Sequence, residues 1–230
     1  MTRHLIDIAS LGRDTLRHIL DLSISSDPIT SKPLAGQGVA LIFEKPSNRT
    51  RHSMEMAVVA LGGHPVYTRG EEVGFDVRES VEDIARIMAG YHSVLAARVF
   101  HHSVIERMAA VSSVPVINML SNVAHPLQAL ADVITMEQHA GPIDSLTVAW
   151  VGDYNNVARS LGEAVCLLGG TFSLGCPEGY NATDAELSRL QSLGGSARQS
   201  VDPKSAVAGA HVVHTDTWIS MGQEAEANER

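Results

Sequence analysis

The stretch Val39-Ala40-Leu41-Ile42-Phe43-Glu44-Lys45-Pro46-Ser47-Asn48-Arg49-Thr50-Arg51 predicts the fold class of this chain. Its first five residues form an apolar run that is typical of a buried strand. A polar turn follows, and residues 50–61 then have a helical pattern. A strand that leads through a turn into a helix leaves the first N–H groups of the helix without backbone acceptors. These donors, with the positive end of the helix dipole, favour a bound anion.

The side chains of this turn indicate which anion the helix start would bind. Ser47, Asn48 and Thr50 offer short hydrogen-bonding groups, and Arg49 and Arg51 flank the threonine. One alternative is an ordinary capped helix with solvated arginines. Positive charge at a helix start is unfavourable without an anion, and arginine binds phosphate through two parallel hydrogen bonds. The segment therefore favours a phosphate or a similar dianion.

The whole chain has the composition of a globular protein. It has 230 residues, of which 44% are hydrophobic and 19% are charged, and its formal net charge is −9. An acidic chain with one basic segment argues against nucleic-acid binding, and no apolar run approaches the ~18 residues that cross a membrane. Two cysteines and the lack of a secretory signal pattern suit the cytoplasm. The eleven histidines form none of the usual zinc patterns, so we expect no metal site.

Short apolar runs alternate with helical patterns, which is typical of parallel α/β layers. We predict two domains, each a parallel sheet flanked by helices, at residues 1–139 and 140–230. The predicted strands are 39–43, 94–99, 114–117, 146–151, 171–174 and 211–214. The predicted helices are 50–61, 81–91, 126–139, 156–168 and 184–193, and another begins at Asp202-Pro203. The charged end of the chain and the few strands after residue 140 lead us to expect that the second domain is truncated.

Polar residues follow the predicted strands of the first domain at their carboxyl ends, where ligands gather in open α/β sheets. Arg98 lies near the end of one strand, and is either a site residue or an edge residue with a solvated head group. His125 and Gln128 lie at the start of the following helix. The helix dipole there keeps an imidazole neutral, so that it can donate a hydrogen bond to a carbonyl oxygen. A plain capping role for His125 is the alternative.

Two segments of the second domain carry similar candidates. The segment 152–156 lacks the second and third glycines of the dinucleotide-binding pattern. This argues against NAD, and leaves Asn155 or Asn156 as an amide hydrogen-bonding group. Asp216 follows the last predicted strand, where it either receives a ligand ammonium group or caps the next turn.

These segments together resemble the aspartate/ornithine carbamoyltransferase family over essentially the whole chain. The turn at 43–51, Arg98 and the segment 125–128 resemble its three carbamoyl-phosphate elements in the family's order. The segments 152–156 and 216–222 resemble the amino-acid elements of the ornithine branch. The resemblance implies that carbamoyl phosphate is bound by Ser47, Asn48, Arg49, Thr50, Arg98, His125 and Gln128. It implies that ornithine is bound by Asn156, Asp216, Ser220 and Met221, and that Arg98 and His125 are catalytic.

The resemblance also implies a reaction. The neutral δ-amine of L-ornithine attacks the carbonyl carbon of carbamoyl phosphate, and L-citrulline and phosphate form as a step of arginine metabolism. The family resemblance implies a homotrimer and no cofactor. This chain departs from the family where Asn48 replaces the usual threonine, where Glu71-Glu72 lies near a usual glutamine, and where the late His-Cys-Leu-Pro segment is missing.

The sequence leaves two alternatives to the function that the resemblance implies. One is transfer to a related amine such as putrescine. The other is a catalytically inactive protein that binds only a ligand or a partner, and because of the missing segment we expect little turnover from these 230 residues alone.

Overall fold

A computed structural model describes residues 3–217 of the chain. It divides into two compact units, Met1–Gln128 and Ala129–Arg230, and each is built on its own four-stranded parallel sheet. The predicted α/β class, with two parallel sheets flanked by helices, is therefore confirmed. The predicted boundary between residues 139 and 140 stays a prediction. No helix in the described part of the chain is long and apolar enough to cross a membrane.

The first unit has the strand order β2-β1-β3-β4. Its strands are β1 (Gly38–Phe43), β2 (His64–Arg69), β3 (Val94–Arg98) and β4 (Val116–Leu120). Its helices are α1 (Gly12–Ile24), α2 (Asp27–Ser31), α3 (Asn48–Ala60), α4 (Gly70–Val73), α5 (Val81–Tyr91) and α6 (His102–Val111). Helix α7 (Pro126–Ala140) begins at the end of this unit.

Strand β1 is apolar throughout because helices cover both faces of the sheet. Ala40 and Ile42 pack into one buried cluster with residues of α5 and α6. Leu41 and Phe43 point to the opposite face, where they pack with Val58 of α3. The two-residue period of a strand thus divides one continuous apolar run between two cores.

A surface ion cluster ties α5, α6 and the loop before α5 together. Arg107 of α6 lies 2.6 Å from carboxylate oxygens of both Asp76 and Glu82. Hydrogen bonds from Arg107 lower the pKa of each carboxyl group. The charged forms of both groups are therefore favoured in the folded protein.

The second unit has the strand order β7-β6-β5-β8. Its strands are β5 (Thr147–Val151), β6 (Thr171–Gly175), β7 (Ser196–Ser200) and β8 (Val212–His214). Its further helices are α8 (Asn156–Leu167), α9 (Asp184–Gln191) and α10 (Pro203–Val207). Helix α8 lies close to β6 because Gly162 has no side chain, and a Cβ there would lie 2.8 Å from the Phe172 ring.

A buried carboxylate links α8 to α9. The side chain of Glu163 is only 1% exposed, and its Oε1 lies 2.9 Å from Nη2 of Arg189. Arg159 lies 3.6 Å from the same oxygen, and both arginines also pair with Glu186. A charge removed from water requires such partners.

The structure differs from the sequence-based elements in one strand boundary, in two strands and in four helices, α1, α2, α4 and α6, that were not predicted. The strand predicted at 114–117 is wrong by two to three residues, because Val114 lies in a turn closed by the Ser112 hydroxyl. Two strands were not predicted at all, β2 and β7. Both are edge strands with polar sequences, and β2 contains Pro65, which cannot donate to a ladder.

Candidate functional site

The turn after β1 lies at the point where the topology of the first sheet reverses. The chain leaves β1 toward β2 on one side, and later enters β3 on the other side of β1. Such a reversal opens a crevice at the carboxyl ends of the two strands, where ligands bind. Phe43 and Arg98 are register partners at this edge, and Arg98 in turn pairs with Leu120 of β4. The turn, Arg98 and the segment before α7 thus emerge from one edge of the sheet, as the sequence predicted.

Three of the predicted residues contact one another at this edge. Ser47 caps α3, and its Oγ accepts a hydrogen bond from the Thr50 N–H at 3.4 Å. The Thr50 hydroxyl oxygen accepts hydrogen bonds from the Ser47 hydroxyl at 3.0 Å and from Nη1 of Arg98 at 3.2 Å. Because these two donors use both lone pairs of that oxygen, the hydroxyl hydrogen of Thr50 remains available as a donor to a ligand.

Arg98 is the buried cation of this cluster. The residue is 5% exposed, and its Nε is buried without a hydrogen-bond partner. Within residues 3–217 no carboxylate pairs with it, and burial lowers the pKa of its guanidinium. A buried cation without a counter-ion is costly, and an anion at this point removes that cost.

The remaining polar residues at the start of α3 differ in their exposure and contacts. Asn48 and Arg49 are exposed on the first turn of α3. Arg51 is held away from the turn, because its Nε donates to Glu55 at 2.8 Å and its guanidinium lies 3.9 Å from the centre of the Tyr67 ring. Arg49 is therefore the exposed arginine of the turn that these contacts leave for an anion.

A close backbone approach supports the turn after β1 from the side of β2. A Cβ on Gly70 would lie 2.7 Å from the Cα of Glu44. The Glu44 carboxylate in turn accepts the Phe100 N–H at 3.0 Å, and the Glu44 N–H donates to the Arg98 carbonyl at 2.9 Å. The turn is thus tied to the chain that follows β3. The sequence pattern indicated no role for Gly70 or for Glu44.

His125 immediately precedes α7, and Gln128 lies on its first turn. A buried polar network fixes the segment that leads to His125. The Asn118 amide donates to the Ile6 carbonyl at 2.9 Å, and the Ala124 N–H donates to the Ser121 hydroxyl at 3.2 Å. The sequence pattern did not reveal this support, because Asn118 and Ser121 lie within and directly after an apolar strand and are both 0% exposed.

The candidate residues of the second unit also lie at a reversal of topology. Strands β5 and β8 are neighbours, while the chain first moves from β5 to β6 on the other side. Asn155 and Asp216 follow these two strands, and Nδ2 of Asn155 donates to Oδ2 of Asp216 at 3.2 Å. Asn156 is the first residue of α8. Ser220 and Met221 lie outside the described residues.

The two neighbouring asparagines, Asn155 and Asn156, had different standing as predicted site residues. The sequence pattern left Asn155 and Asn156 open as amide groups, and the resemblance implied Asn156 alone. In the structure Asn155 contacts the carboxylate of Asp216. The signal in the sequence is its position as the residue before a helix, where asparagine is a favoured cap.

Two family models match the chain. Residues 3–138 match the carbamoyl-phosphate-binding domain of the aspartate/ornithine carbamoyltransferases, and residues 144–230 match their aspartate/ornithine-binding domain. Together these matches cover almost all of the sequence, and they fall in the order of the two units.

Individual proteins are similar over the same length. An ornithine carbamoyltransferase of Thermus thermophilus is 43% identical over 232 residues, a match that spans all of this chain and 75% of that protein. One of Archaeoglobus fulgidus is 40% identical and matches 99% of this chain and 76% of its own length. The solved ornithine carbamoyltransferase of Pyrococcus furiosus superposes with a TM-score of 0.92 at 38% identity, over 99% of this chain and 76% of that one.

Proposed function

The chain belongs to the aspartate/ornithine carbamoyltransferase family of enzymes, and from this we propose that it transfers the carbamoyl group of carbamoyl phosphate to the δ-amine of L-ornithine. The products are L-citrulline and phosphate, in the cytoplasm and as part of arginine metabolism. The relatives at 36–43% identity that share this length of chain carry the name ornithine carbamoyltransferase, which favours ornithine as the acceptor.

The observation that carries the proposal is the buried guanidinium of Arg98 at the crevice of the first sheet. It lacks a carboxylate partner in residues 3–217 and contacts Thr50 of the turn. In the proposed complex the phosphate group is bound by Ser47, Asn48, Arg49 and Thr50. Their donors stabilise the negative charge that grows on the leaving phosphate.

Arg98 and His125 act on the carbamoyl group in this proposal. Both would donate hydrogen bonds to its carbonyl oxygen, which becomes negative when the amine attacks. Gln128 would accept a hydrogen bond from the carbamoyl NH₂ group. The attacking nitrogen loses one proton as the C–N bond forms. The bond between the carbon and the phosphate oxygen then breaks, and the leaving phosphate takes up that proton.

Asp216 and Asn156 would bind the amino-acid end of ornithine, together with Ser220 and Met221. A carboxylate pairs with the α-ammonium group, while amide and backbone N–H groups bind the α-carboxylate. The half-buried position of Asp216 beside Asn155 supports this role. We propose a homotrimer as the working assembly, which light scattering would report as three times the chain mass of 24.6 kDa.

The test is a parallel assay of carbamoyl transfer to L-ornithine, putrescine and L-aspartate. We expect citrulline from ornithine at a kcat/KM well above that for the other two amines. Preference for putrescine would overturn ornithine as the acceptor, since putrescine has no α-carboxylate to bind. Tight binding of carbamoyl phosphate in calorimetry without any transfer would favour the protein that only binds its ligand.

A further inference from the structure

We propose that Asn155 is a positioning residue, which orients the carboxylate of Asp216 toward the α-ammonium group of the amino-acid substrate. The inference rests on the proposed function, since it assigns the support of the same subsite. It differs from the resemblance, which implied Asn156 as the asparagine of this segment. It begins from one contact, the hydrogen bond of 3.2 Å between Nδ2 of Asn155 and Oδ2 of Asp216.

The orientation of the Asn155 amide is fixed by the helix that it caps. Its Oδ1 accepts hydrogen bonds from the backbone N–H groups of Val157 and Ala158, each at 3.0 Å. A rotated amide would put its NH₂ group against these two donors and its oxygen against the Asp216 carboxylate. Both contacts would then be repulsive. The Nδ2 group is therefore held toward Asp216 by two bonds that the carboxylate does not make.

The carboxylate of Asp216 is held from a second direction as well. Its Oδ1 accepts the Thr217 N–H at 2.7 Å. The preceding residue is fixed to the neighbouring strand, because the Thr215 hydroxyl donates to the Val151 carbonyl at 2.7 Å. A carboxylate has about four lone-pair positions, so two donors leave acceptor capacity for an ammonium group.

Helix capping by itself does not explain an asparagine at this position. Serine, threonine and aspartate cap about as well, and near a helix start a carboxylate has the additional help of the dipole. In the described part of the chain, other helices are capped by hydroxyl or carboxylate oxygens, from Ser47, Ser80, Thr183 and Asp202. Asn155 adds a donor, and an aspartate there would place two carboxylates about one hydrogen-bond length apart. The amide thus serves the contact with Asp216 in addition to the cap.

Three variants separate the two roles of Asn155. Asn155→Ser keeps a capping oxygen and removes the donor to Asp216, and Asn155→Asp keeps the cap and adds a repelling charge. Thr183→Ala is the matched control, because it removes the cap of α9 in the same unit and leaves Asp216 untouched.

We expect Asn155→Ser to raise the KM for ornithine about tenfold or more, as for a lost hydrogen bond to a charged group. Asn155→Asp should raise the KM further. Neither variant should change the affinity for carbamoyl phosphate, and kcat at saturating ornithine should change much less than KM. Thr183→Ala should lower the melting temperature without changing the KM. An unchanged KM in Asn155→Ser, or a loss that follows the melting temperature in all three variants, would overturn the inference.

A readout without substrate tests the contact itself. In the ¹⁵N–¹H spectrum, Asp216→Asn should shift the side-chain NH₂ resonances of Asn155 while the backbone amides of Val157 and Ala158 keep their positions. Unmoved NH₂ resonances would overturn the inference.

These outcomes are distinct from failure of the proposed function. If Asp216→Asn raises the KM for ornithine and Asn155→Ser does not, the inference fails and the function stands. If the unmodified protein forms no citrulline while the NH₂ resonances respond, the function fails and the Asn155–Asp216 contact stands.

Discussion

Replacing Arg98 by methionine should stabilise the unliganded protein and weaken the binding of carbamoyl phosphate. Arg98 is 5% exposed, and its buried Nε lacks an acceptor. A buried polar group without a partner costs about 1–3 kcal/mol, and methionine fills a similar length of chain without that cost. At roughly 2–4 °C per kcal/mol for a chain of this size, we therefore expect the melting temperature to rise by about 2–12 °C in calorimetry without ligand.

The same substitution removes a buried cation from the proposed anion site. Loss of one partner of a desolvated charge pair costs about 2–5 kcal/mol, which corresponds to a loss of affinity from about 30-fold to a few thousandfold. Isothermal titration calorimetry with carbamoyl phosphate measures this loss of affinity. Arg98→Lys keeps the charge but loses the planar guanidinium group. Its affinity for carbamoyl phosphate should therefore lie between those of the wild type and Arg98→Met.

Arg51→Met is the control for both measurements. This arginine also lies near the turn after β1, but it is paired with Glu55 and stacked on Tyr67. Its loss should slightly lower stability and leave the affinity for carbamoyl phosphate unchanged. If Arg98→Met lowers the melting temperature and binds carbamoyl phosphate normally, Arg98 is a structural residue and the reasoning about the anion site is refuted.

Three further predictions concern stability. Glu163→Ala leaves two arginines without their buried carboxylate, so it should cost about 3–5 kcal/mol in urea unfolding. The control Arg86→Ala breaks an exposed ion pair and should cost less than about 1 kcal/mol. Equal losses in the two variants would contradict the argument from burial. Arg107→Gln should lower the melting temperature at neutral pH, since the two carboxyl groups that it binds have pKa values below their usual 3.8 and 4.5. The stability that these ion pairs contribute is present above the usual pKa values of the two carboxyl groups, and it is lost as the pH falls through their lower pKa values in the folded protein. A difference in melting temperature between variant and wild type that stays constant down to about pH 2 would disprove this prediction. Gly162→Ala should cost about 1–3 kcal/mol in urea unfolding, because the new Cβ would lie 2.8 Å from an aromatic ring of β6. The control Gly90→Ala has open space around its new Cβ and should be neutral or stabilising. Similar losses of stability in the two variants would refute the packing argument.

The sequence predicted the features that depend on neighbouring residues. The burial of β1 was predicted from its continuous apolar run. The helix after it was also predicted, although α3 begins at Asn48, two residues before the predicted start, with Ser47 as its cap. Arg98 was predicted near the end of a strand, and it is the last residue of β3. The edge strands β2 and β7 were missed because their residues are polar, and their pairing with a neighbouring strand supplies the stability that their composition does not.

Contacts between residues far apart in the chain were decided only by the tertiary structure. Thr50 and Arg98 are 48 residues apart, and Asn155 and Asp216 are 61 residues apart. Each pair meets because the strand order reverses at β1 and at β5, and a strand order leaves no periodic signal in the sequence. The contact of Arg51 with Tyr67 has the same origin, since Tyr67 belongs to an edge strand, whereas the pair of Arg51 with Glu55 is local to α3. The residue types of the candidate site are thus local information, while their directions and partners depend on how the strands are ordered in the sheets.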